Sequence, residues 1–190
     1  MEAFFEDQQF CNLNSKLNPL TKGEYESCDF ENCDLSDADL SEFIFENCEF
    51  KSCNLSLAKL SKTAFRSVKF TDCKLVGLHF EYCKTLQLSA SFENCVLNLS
   101  SFYTIKCRDL KFRNCNMHEV DFTEADLSNL ELTNCDLSGA IFDNTNLEKA
   151  DFRTAINYVI NPELNRIKKA KFSLGGVQGL LYQYQIEIEP

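Results

Sequence analysis

The sequence lacks the features that would place it in a membrane, outside the cell or on nucleic acid. None of its apolar runs approaches the roughly 18 residues needed to span a bilayer. The segment that begins at Met1 has neither the basic nor the apolar region of a secretory signal. Basic residues number 19 against 29 acidic ones, so the formal net charge is −10, which makes a poor nonspecific ligand for nucleic acid. We therefore expect a cytoplasmic protein that neither enters membranes nor binds nucleic acid directly.

The residues that usually build catalytic and cofactor sites are also scarce. Only six glycines are present, and no loop typical of phosphate binding or Ser/His/Asp constellation is apparent. There is no C-x-x-C pair, which most zinc modules require, and His79 and His118 fall on different repeats. Eleven cysteines, an odd number without a secretory signal, argue against a disulfide framework. The sequence thus predicts a protein that is not an enzyme, with no catalytic residue, no metal and no cofactor.

What the chain does contain is a five-residue repeat. Apolar residues recur at every fifth position from Tyr25 to Phe80 and, after a slip of two residues within 85–91, from Phe92 to Phe152. Small residues usually lie two positions earlier, and nine of the eleven cysteines take that place. Steps of five would scatter the apolar residues around an α-helix, about 140° apart, and would alternate them between the faces of a strand. A chain that turns one corner every five residues directs all of them to a common axis.

Four such corners make a square coil of twenty residues, so residues twenty apart should stack in four columns, one for each face. Across the slip the spacing is 22 residues, as a bulge at one corner would require. The first face is Phe30, Phe50, Phe70, Phe92, Phe112, Leu132, Phe152; the second is Leu35, Leu55, Leu75, Leu97, Met117, Leu137; the third is Leu40, Leu60, Phe80, Phe102, Phe122, Phe142; the fourth is Tyr25, Phe45, Phe65, Thr85, Cys107, Leu127, Leu147. Thr85 and Cys107 are the misfits, both beside the slip.

Tandem units such as Cys33-Asp-Leu-Ser-Asp, Ala38-Asp-Leu-Ser-Glu and Ala125-Asp-Leu-Ser-Asn resemble those of pentapeptide-repeat proteins. The resemblance covers about residues 23 to 157 and implies an all-β fold, a right-handed quadrilateral parallel β-helix. We expect this solenoid over residues 1–157, with an irregularity near 85–91, and a helical cap or dimerisation segment over 158–190.

The tail after Phe152 does not keep the repeat. Asn161-Pro-Glu-Leu is typical of a helix start, which predicts a short helix that runs through Arg166 to Lys171. A second helix is expected after Gly175-Gly176, and Gln185-Ile-Glu-Ile-Glu alternates as a strand does. A solenoid needs its apolar end covered, so capping is one interpretation of the tail. The other is a homodimer, because the tail resembles that of the Qnr-type and microcin B immunity subgroup, whose C-terminal elements dimerise. The expected dimer residues are Val177, Leu180, Leu181 and Tyr184.

Charges are segregated along the chain. Residues 24–49 hold ten acids and no base, residues 51–113 hold eleven bases and four acids, and residues 119–151 hold nine acids and one base. The residue before each central apolar one should point outward, and acids often occupy it. The candidate acidic, partner-binding residues are Asp29, Asp34, Asp39, Glu49, Asp121, Asp126, Glu131, Asp136 and Asp151.

Regularly spaced carboxylates on a narrow rod can imitate the phosphates of duplex DNA and attract a protein with a cationic DNA-binding surface. The alternative is that exposed repeat positions are merely solvated. The subgroup resemblance implies DNA mimicry, binding to a type II topoisomerase (gyrase or topoisomerase IV) and resistance to quinolones or toxins. Two features depart from that subgroup. The Qnr-type projecting loops are reduced here to a two-residue interruption, and the basic belt of residues 51–113 divides the acids. Binding or inhibition without protection, or a scaffold with an unrelated partner, therefore stays open.

Overall fold

The computed structural model describes residues 3–189; Met1, Glu2 and Pro190, at the outer limits of the two predicted units, lie outside it. Short strands alternate with tight corners along most of these residues. The strands are β1 (Ala3–Glu6), β2 (Gln9–Cys11), β3 (Gly23–Glu26), β4 (Asp29–Glu31), β5 (Ile44–Glu46), β6 (Glu49–Lys51), β7 (Ala64–Arg66), β8 (Val68–Thr71), β9 (Ala90–Glu93), β10 (Leu110–Arg113) and β11 (Leu132–Thr133), and the helix is α1 (Gln178–Leu181). Single 3₁₀ turns occupy Phe80–Tyr82, Thr85–Gln87, Cys107–Asp109, Gly175–Val177 and Tyr182–Tyr184.

The strands form two parallel sheets on two faces of a coil. On the first face β2, β4, β6, β8, β9, β10 and β11 follow one another, and on the fourth face β1, β3, β5 and β7 do. Phe30 pairs with Phe50, twenty residues on, and Phe70 pairs with Phe92 across the slip of two. Isolated parallel bridges link successive coils on the other two faces. The quadrilateral parallel β-helix predicted from the repeat is confirmed.

Corners recur every five residues because one residue in most repeats has a left-handed backbone. At the corner Leu35-Ser-Asp-Ala38, the amide of Ala38 donates to the carbonyl of Leu35 at 3.1 Å while Asp37 has φ 58°. A turn closed in this way with a positive φ at its third residue resembles a type II turn. The same position is left-handed at Glu42, Asn47 and Ser52. This regular change of direction sends the central side chains of the regular repeats inward.

The interior is built from stacked aromatic and aliphatic side chains. The rings of Phe30 and Phe50 lie 4.4 Å apart and nearly parallel, and Phe92 stacks in the same way on Phe70 at 5.3 Å. Each buried Phe or Leu contributes roughly 1.5–3 kcal/mol to folding. The small residue two positions before each central one links successive coils. For example, the thiol of Cys53 donates a hydrogen bond to the carbonyl of Phe30, on the preceding coil, at 3.3 Å. Of the eleven cysteines only Cys11 is exposed, and burial raises the pKa of the Cys48 thiol to about 12.

Two predictions made from the sequence are wrong, one at the slip and one in the tail. At the slip, Thr85 is exposed and Leu88 fills the interior of the fourth face instead. The helix predicted from Arg166 to Lys171 does not form. Arg166 and Lys171 make parallel bridges to the coil below, because their amides donate to the carbonyls of Thr145 and Ala150.

Stacking therefore continues beyond the boundary expected at residue 157. Phe172 stacks on Phe152 at 5.4 Å, and Ile167 packs against the core. The helix expected after Gly175 is present, as 3₁₀ turns on both sides of α1. No strand forms over residues 186–189. No helix within residues 3–189 is long and apolar enough to cross a membrane.

Candidate protein-binding surface

Most of the outward acidic residues have a structural task at a corner of the coil. The Asp34 carboxylate accepts a hydrogen bond from the backbone amide of Ser36 at 3.1 Å, and Asp39 accepts one from Ser41 at 3.0 Å. Such bonds from an Asp or Asn side chain to the backbone two residues on stabilise turns. The same bond is made by Asp121, Asp126, Asp136 and Asp151. Aspartate is favoured here by the fold itself, whatever the partner.

These bonds also keep the carboxylates ionised and fixed in position. Hydrogen bonding from Ser36 lowers the pKa of Asp34, and hydrogen bonding from Ser41 lowers the pKa of Asp39. Each carboxylate is thus a negative charge held at a defined place on the rod. Regularly placed fixed charges are what an imitation of a phosphate row requires.

Two acids near the C-terminal end are ionised most strongly. Partial burial raises the pKa of Asp136, but hydrogen bonds from Asn157, His118 and Ser138 outweigh it and lower that pKa to about 2. The Arg153 side chain does the same for Asp151, whose pKa also falls to about 2. His118 and Asp136 approach to 3.0 Å. His79 contacts Glu81 instead, so the two histidines serve separate local pairs.

The nine predicted acidic residues do not share one face. The pairing register puts Asp29, Glu49, Glu131 and Asp151 on the first face, Asp34 and Asp136 on the second, Asp39 and Asp121 on the third, and Asp126 on the fourth. Along the rod they form two groups, which we call the N-terminal band (Asp29, Asp34, Asp39, Glu49) and the C-terminal band (Asp121, Asp126, Glu131, Asp136, Asp151). On the first face Lys69, Ser91 and Lys111 lie between the bands.

Some of the band residues are already paired with cations of the same coil or of the next one. Glu49 is paired with Lys69, and Asp151 with Arg153 and Lys171. Within the described chain, six of the nine have no cation within 4.0 Å: Asp29, Asp34, Asp39, Asp121, Asp126 and Glu131. Those six carry the charge that a partner would meet.

The predicted dimer residues are divided by the irregular helix. Leu180 packs against the end of the rod, and Leu181 is half-buried. Val177 and Tyr184 are exposed, and the Tyr184 hydroxyl donates to Glu163 at 2.8 Å. Since α1 spans four residues between 3₁₀ turns, the apolar stripe expected of one continuous helix is broken. Leu174 and Tyr182, which the stripe did not include, are the most exposed apolar residues of the tail.

No group of three or more His, Cys, Asp or Glu side chains in residues 3–189 is arranged to hold a metal ion.

A cavity of about 740 Å³ on the surface of the rod is lined by cations from several coils. Sequence analysis recognised these cations as a belt and did not predict that they meet in one groove.

A model of the pentapeptide repeat region matches residues 24–89 and 87–157. No curated protein sequence matches the chain. Among solved structures, a trypsin-treated variant of QnrB1, described as a plasmid-mediated fluoroquinolone resistance protein, is similar over 100% of both chains, with 17% identity and a TM-score of 0.61. Full-length QnrB1 is similar over 97% of this chain and 100% of its own, with 18% identity and a TM-score of 0.52. At these identities the likeness concerns the fold, and with the repeat model it shows that the chain belongs to the pentapeptide-repeat family.

Proposed function

We propose that this chain is a non-enzymatic, acidic protein-binding solenoid that imitates duplex DNA and binds a type II topoisomerase, either gyrase or topoisomerase IV. Binding would modulate the enzyme and confer resistance to quinolones or to toxins that act on it. The observation that carries the proposal is the set of carboxylates that accept hydrogen bonds at coil corners, which lowers their pKa, and that have no cation within 4.0 Å in residues 3–189. The fold shared with QnrB1, described as a fluoroquinolone resistance protein, supports it.

The N-terminal band is the best candidate for the contact. Residues 24–49 contain no base, and Asp29 and Glu49 lie side by side on consecutive coils. Asp34 and Asp39 continue the band around two further faces. A protein surface evolved to bind the phosphates of DNA is cationic, so it is attracted to such a band over distances of about a Debye length, roughly 8–10 Å at physiological salt.

The second candidate is a scaffold that binds an unrelated protein and uses its acids for solubility alone. The basic belt favours it, because cations between the two bands interrupt a continuous imitation of DNA. Salt separates the two functions. Mimicry predicts topoisomerase binding that weakens steeply as salt rises and that duplex DNA competes away.

The test is gyrase supercoiling with purified protein titrated in, with and without a fluoroquinolone. The informative variant combines Asp29→Asn, Asp34→Asn, Asp39→Asn and Glu49→Gln, since an amide side chain still accepts the corner hydrogen bond but carries no charge. The control neutralises four acids outside both bands: Asp72→Asn, Asp109→Asn, Asp143→Asn and Glu187→Gln.

We expect the native protein and the control to inhibit supercoiling or rescue it from the drug, and the band variant to lose that effect. A native protein without effect or binding at large excess over both gyrase and topoisomerase IV would reject the topoisomerase proposal. Equal activity of the two variants would reject the N-terminal band as the contact.

We further propose that the tail pairs two copies through Val177, Leu181 and the exposed residues around them. Leu174 and Tyr182 enlarge this apolar surface, and exposed apolar patches commonly mark association sites. Light scattering after size exclusion should give twice the chain mass of 21.8 kDa. Val177→Asp with Tyr182→Asp should give the monomer mass, whereas Leu86→Asp, at an exposed leucine far from the tail, should not. A native monomer at about 100 µM, a protomer concentration that would populate even a weak dimer, would contradict the pairing.

A further inference from the structure

A groove opens where the fourth face turns into the first face, beside the 3₁₀ turn Cys107–Asp109 and strand β10. Its volume is about 740 Å³, within the range of roughly 300–1,000 Å³ that is usual for sites of small ligands. Five cations of the basic belt line it, although they are spread over 45 positions of the sequence: Lys69, Lys106, Arg108, Lys111 and Arg113.

Three of these cations make no salt bridge within residues 3–189. Lys69 is paired with Glu49 and Arg108 with Asp109. In the part of the chain that the structure describes, Lys106, Lys111 and Arg113 have no carboxylate within 4.0 Å. Uncompensated cations that converge on a concave surface attract anions, because the low-dielectric walls focus their field.

A hydroxyl lies among the cations. Ser91 is the direct register partner of Lys69 on one side and of Lys111 on the other, so the three form one column on the first face. Arg113 and Glu93 form the neighbouring column. Ammonium, hydroxyl and guanidinium groups are all hydrogen-bond donors, and together they suit a ligand with several oxyanion groups.

Three carboxylates also line the groove: Glu93, Asp126 and Glu131. Asp126 is already bound, since it accepts hydrogen bonds from the Ser128 amide at 3.0 Å and from Asn146 at 2.8 Å. Five cations thus line the groove beside three carboxylates, and two of the five are paired with Glu49 and Asp109. The groove is a local concentration of cations in a protein whose overall charge is −10.

The repeat is broken at the same corner in two consecutive coils. One break is the 3₁₀ turn Thr85–Gln87, which carries the slip, and the other is the 3₁₀ turn Cys107–Asp109. Regular repeats on either side show that the fold requires neither break. Departures from a local rule often mark functional or strained positions.

We propose that this groove binds a compact anion with two or more linked phosphoryl groups, such as a nucleoside triphosphate or an inorganic oligophosphate. Several adjacent charges on one ligand are what separated Lys and Arg side chains can bind together, and Arg and Lys are the usual partners of phosphate. A long nucleic acid would run from the groove over the N-terminal band or the C-terminal band, whose carboxylates repel it. The ligand is therefore short.

The test is calorimetric titration of the full chain with pyrophosphate, tripolyphosphate, ATP and a 20-nucleotide single strand, each without added metal. The site variant is Lys111→Gln with Arg113→Gln. The matched control is Lys59→Gln with Lys74→Gln, which removes two other belt cations. They lie on the third and second faces and form no ion pair with any residue from 3 to 189. Thermal unfolding of each variant checks that the rod is intact.

We expect tripolyphosphate or ATP to bind the native protein and the control equally, and the site variant to bind about tenfold or more weakly, since hydrogen bonds to charged groups are each worth roughly 1.5–3 kcal/mol. Tighter binding of ATP than of tripolyphosphate would identify a nucleotide, and equal binding an oligophosphate. No heat with any phosphate compound at millimolar concentration would overturn the proposal. Equal losses in both variants, or preference for the oligonucleotide, would overturn it as well.

Discussion

The first and fourth faces of the rod are built from the same repeat and differ in how well they keep it. On the first face the sheet is continuous from β2 to β11, and nearly every central residue is phenylalanine. On the fourth face the sheet ends at β7, and the next two coils have 3₁₀ turns there. A change in the backbone path on the first face would separate rings that stack on one another, because each ring is buried by the coils on both sides. Irregularity therefore collects on the fourth face, and the groove lies at the corner where that face meets the first.

The largest loss of stability is expected among the stacked phenylalanine rings of the first face. Phe70 is buried and stacks on Phe50 at 5.1 Å and on Phe92 at 5.3 Å. Phe70→Ala should lower the free energy of unfolding by about 3–5 kcal/mol, since neighbouring coils cannot collapse into the cavity. Chemical denaturation measures it. A loss below about 1 kcal/mol would mean that the first face is as adaptable as the fourth.

The slip on the fourth face allows a sharper test of which residue is interior. Leu88 is buried, whereas Thr85, which the repeat placed inside, is exposed. Leu88→Ala should cost about 2 kcal/mol, at the low end for a buried leucine because an irregular coil relaxes more easily. Thr85→Ala should change stability by less than about 0.5 kcal/mol. If Thr85→Ala were the more damaging variant, the register across the slip would be wrong.

Sequence reasoning predicted the fold because period five constrains every coil in the same way. Phe92 could be aligned with Phe70 despite the slip, since many later residues fixed the register. Thr85 was misplaced because a single corner offers no second copy of itself for comparison. The helix at Arg166–Lys171 was predicted from local capping residues, but backbone bonding to Thr145 and Ala150 determined the structure. The groove was missed because Lys69 and Lys111 become neighbours only after the coil is closed.

Two neighbouring glycines near the C-terminal end, Gly175 and Gly176, differ in the space that surrounds them. A Cβ at Gly176 would overlap the hydroxyl of Tyr158, while one at Gly175 would meet nothing within 4 Å. Gly176→Ala should displace the tail and weaken the bond from the Ile160 amide to the Gly179 carbonyl, which is 3.0 Å long. Hydrogen exchange at Ile160 should accelerate about tenfold, equivalent to roughly 1.4 kcal/mol of local stability. Gly175→Ala is the control, and equal exchange in both variants would show that the tail does not depend on this contact.

The smallest expected effect is on the pH dependence of stability and concerns Asp151, near the C-terminal end of the first face. The pKa of Asp151, on the first face, is lowered to about 2 by Arg153, against about 3.9 in an unfolded chain. A lowered pKa in the folded state adds stability above the unfolded value and loses it as the pH falls from about 4 to about 2. Asp151→Asn should therefore remove less than about 1 kcal/mol of pH-dependent unfolding free energy in that window, because the Arg153 partner is exposed. The melting temperature should accordingly depend less on pH there. Asp143→Asn removes an exposed carboxylate that has no ion pair among the described residues and should keep the native dependence. If the two variants had the same pH profile, the ion pair of Asp151 would contribute nothing to the end of the first face, and its outward charge would be available to a partner.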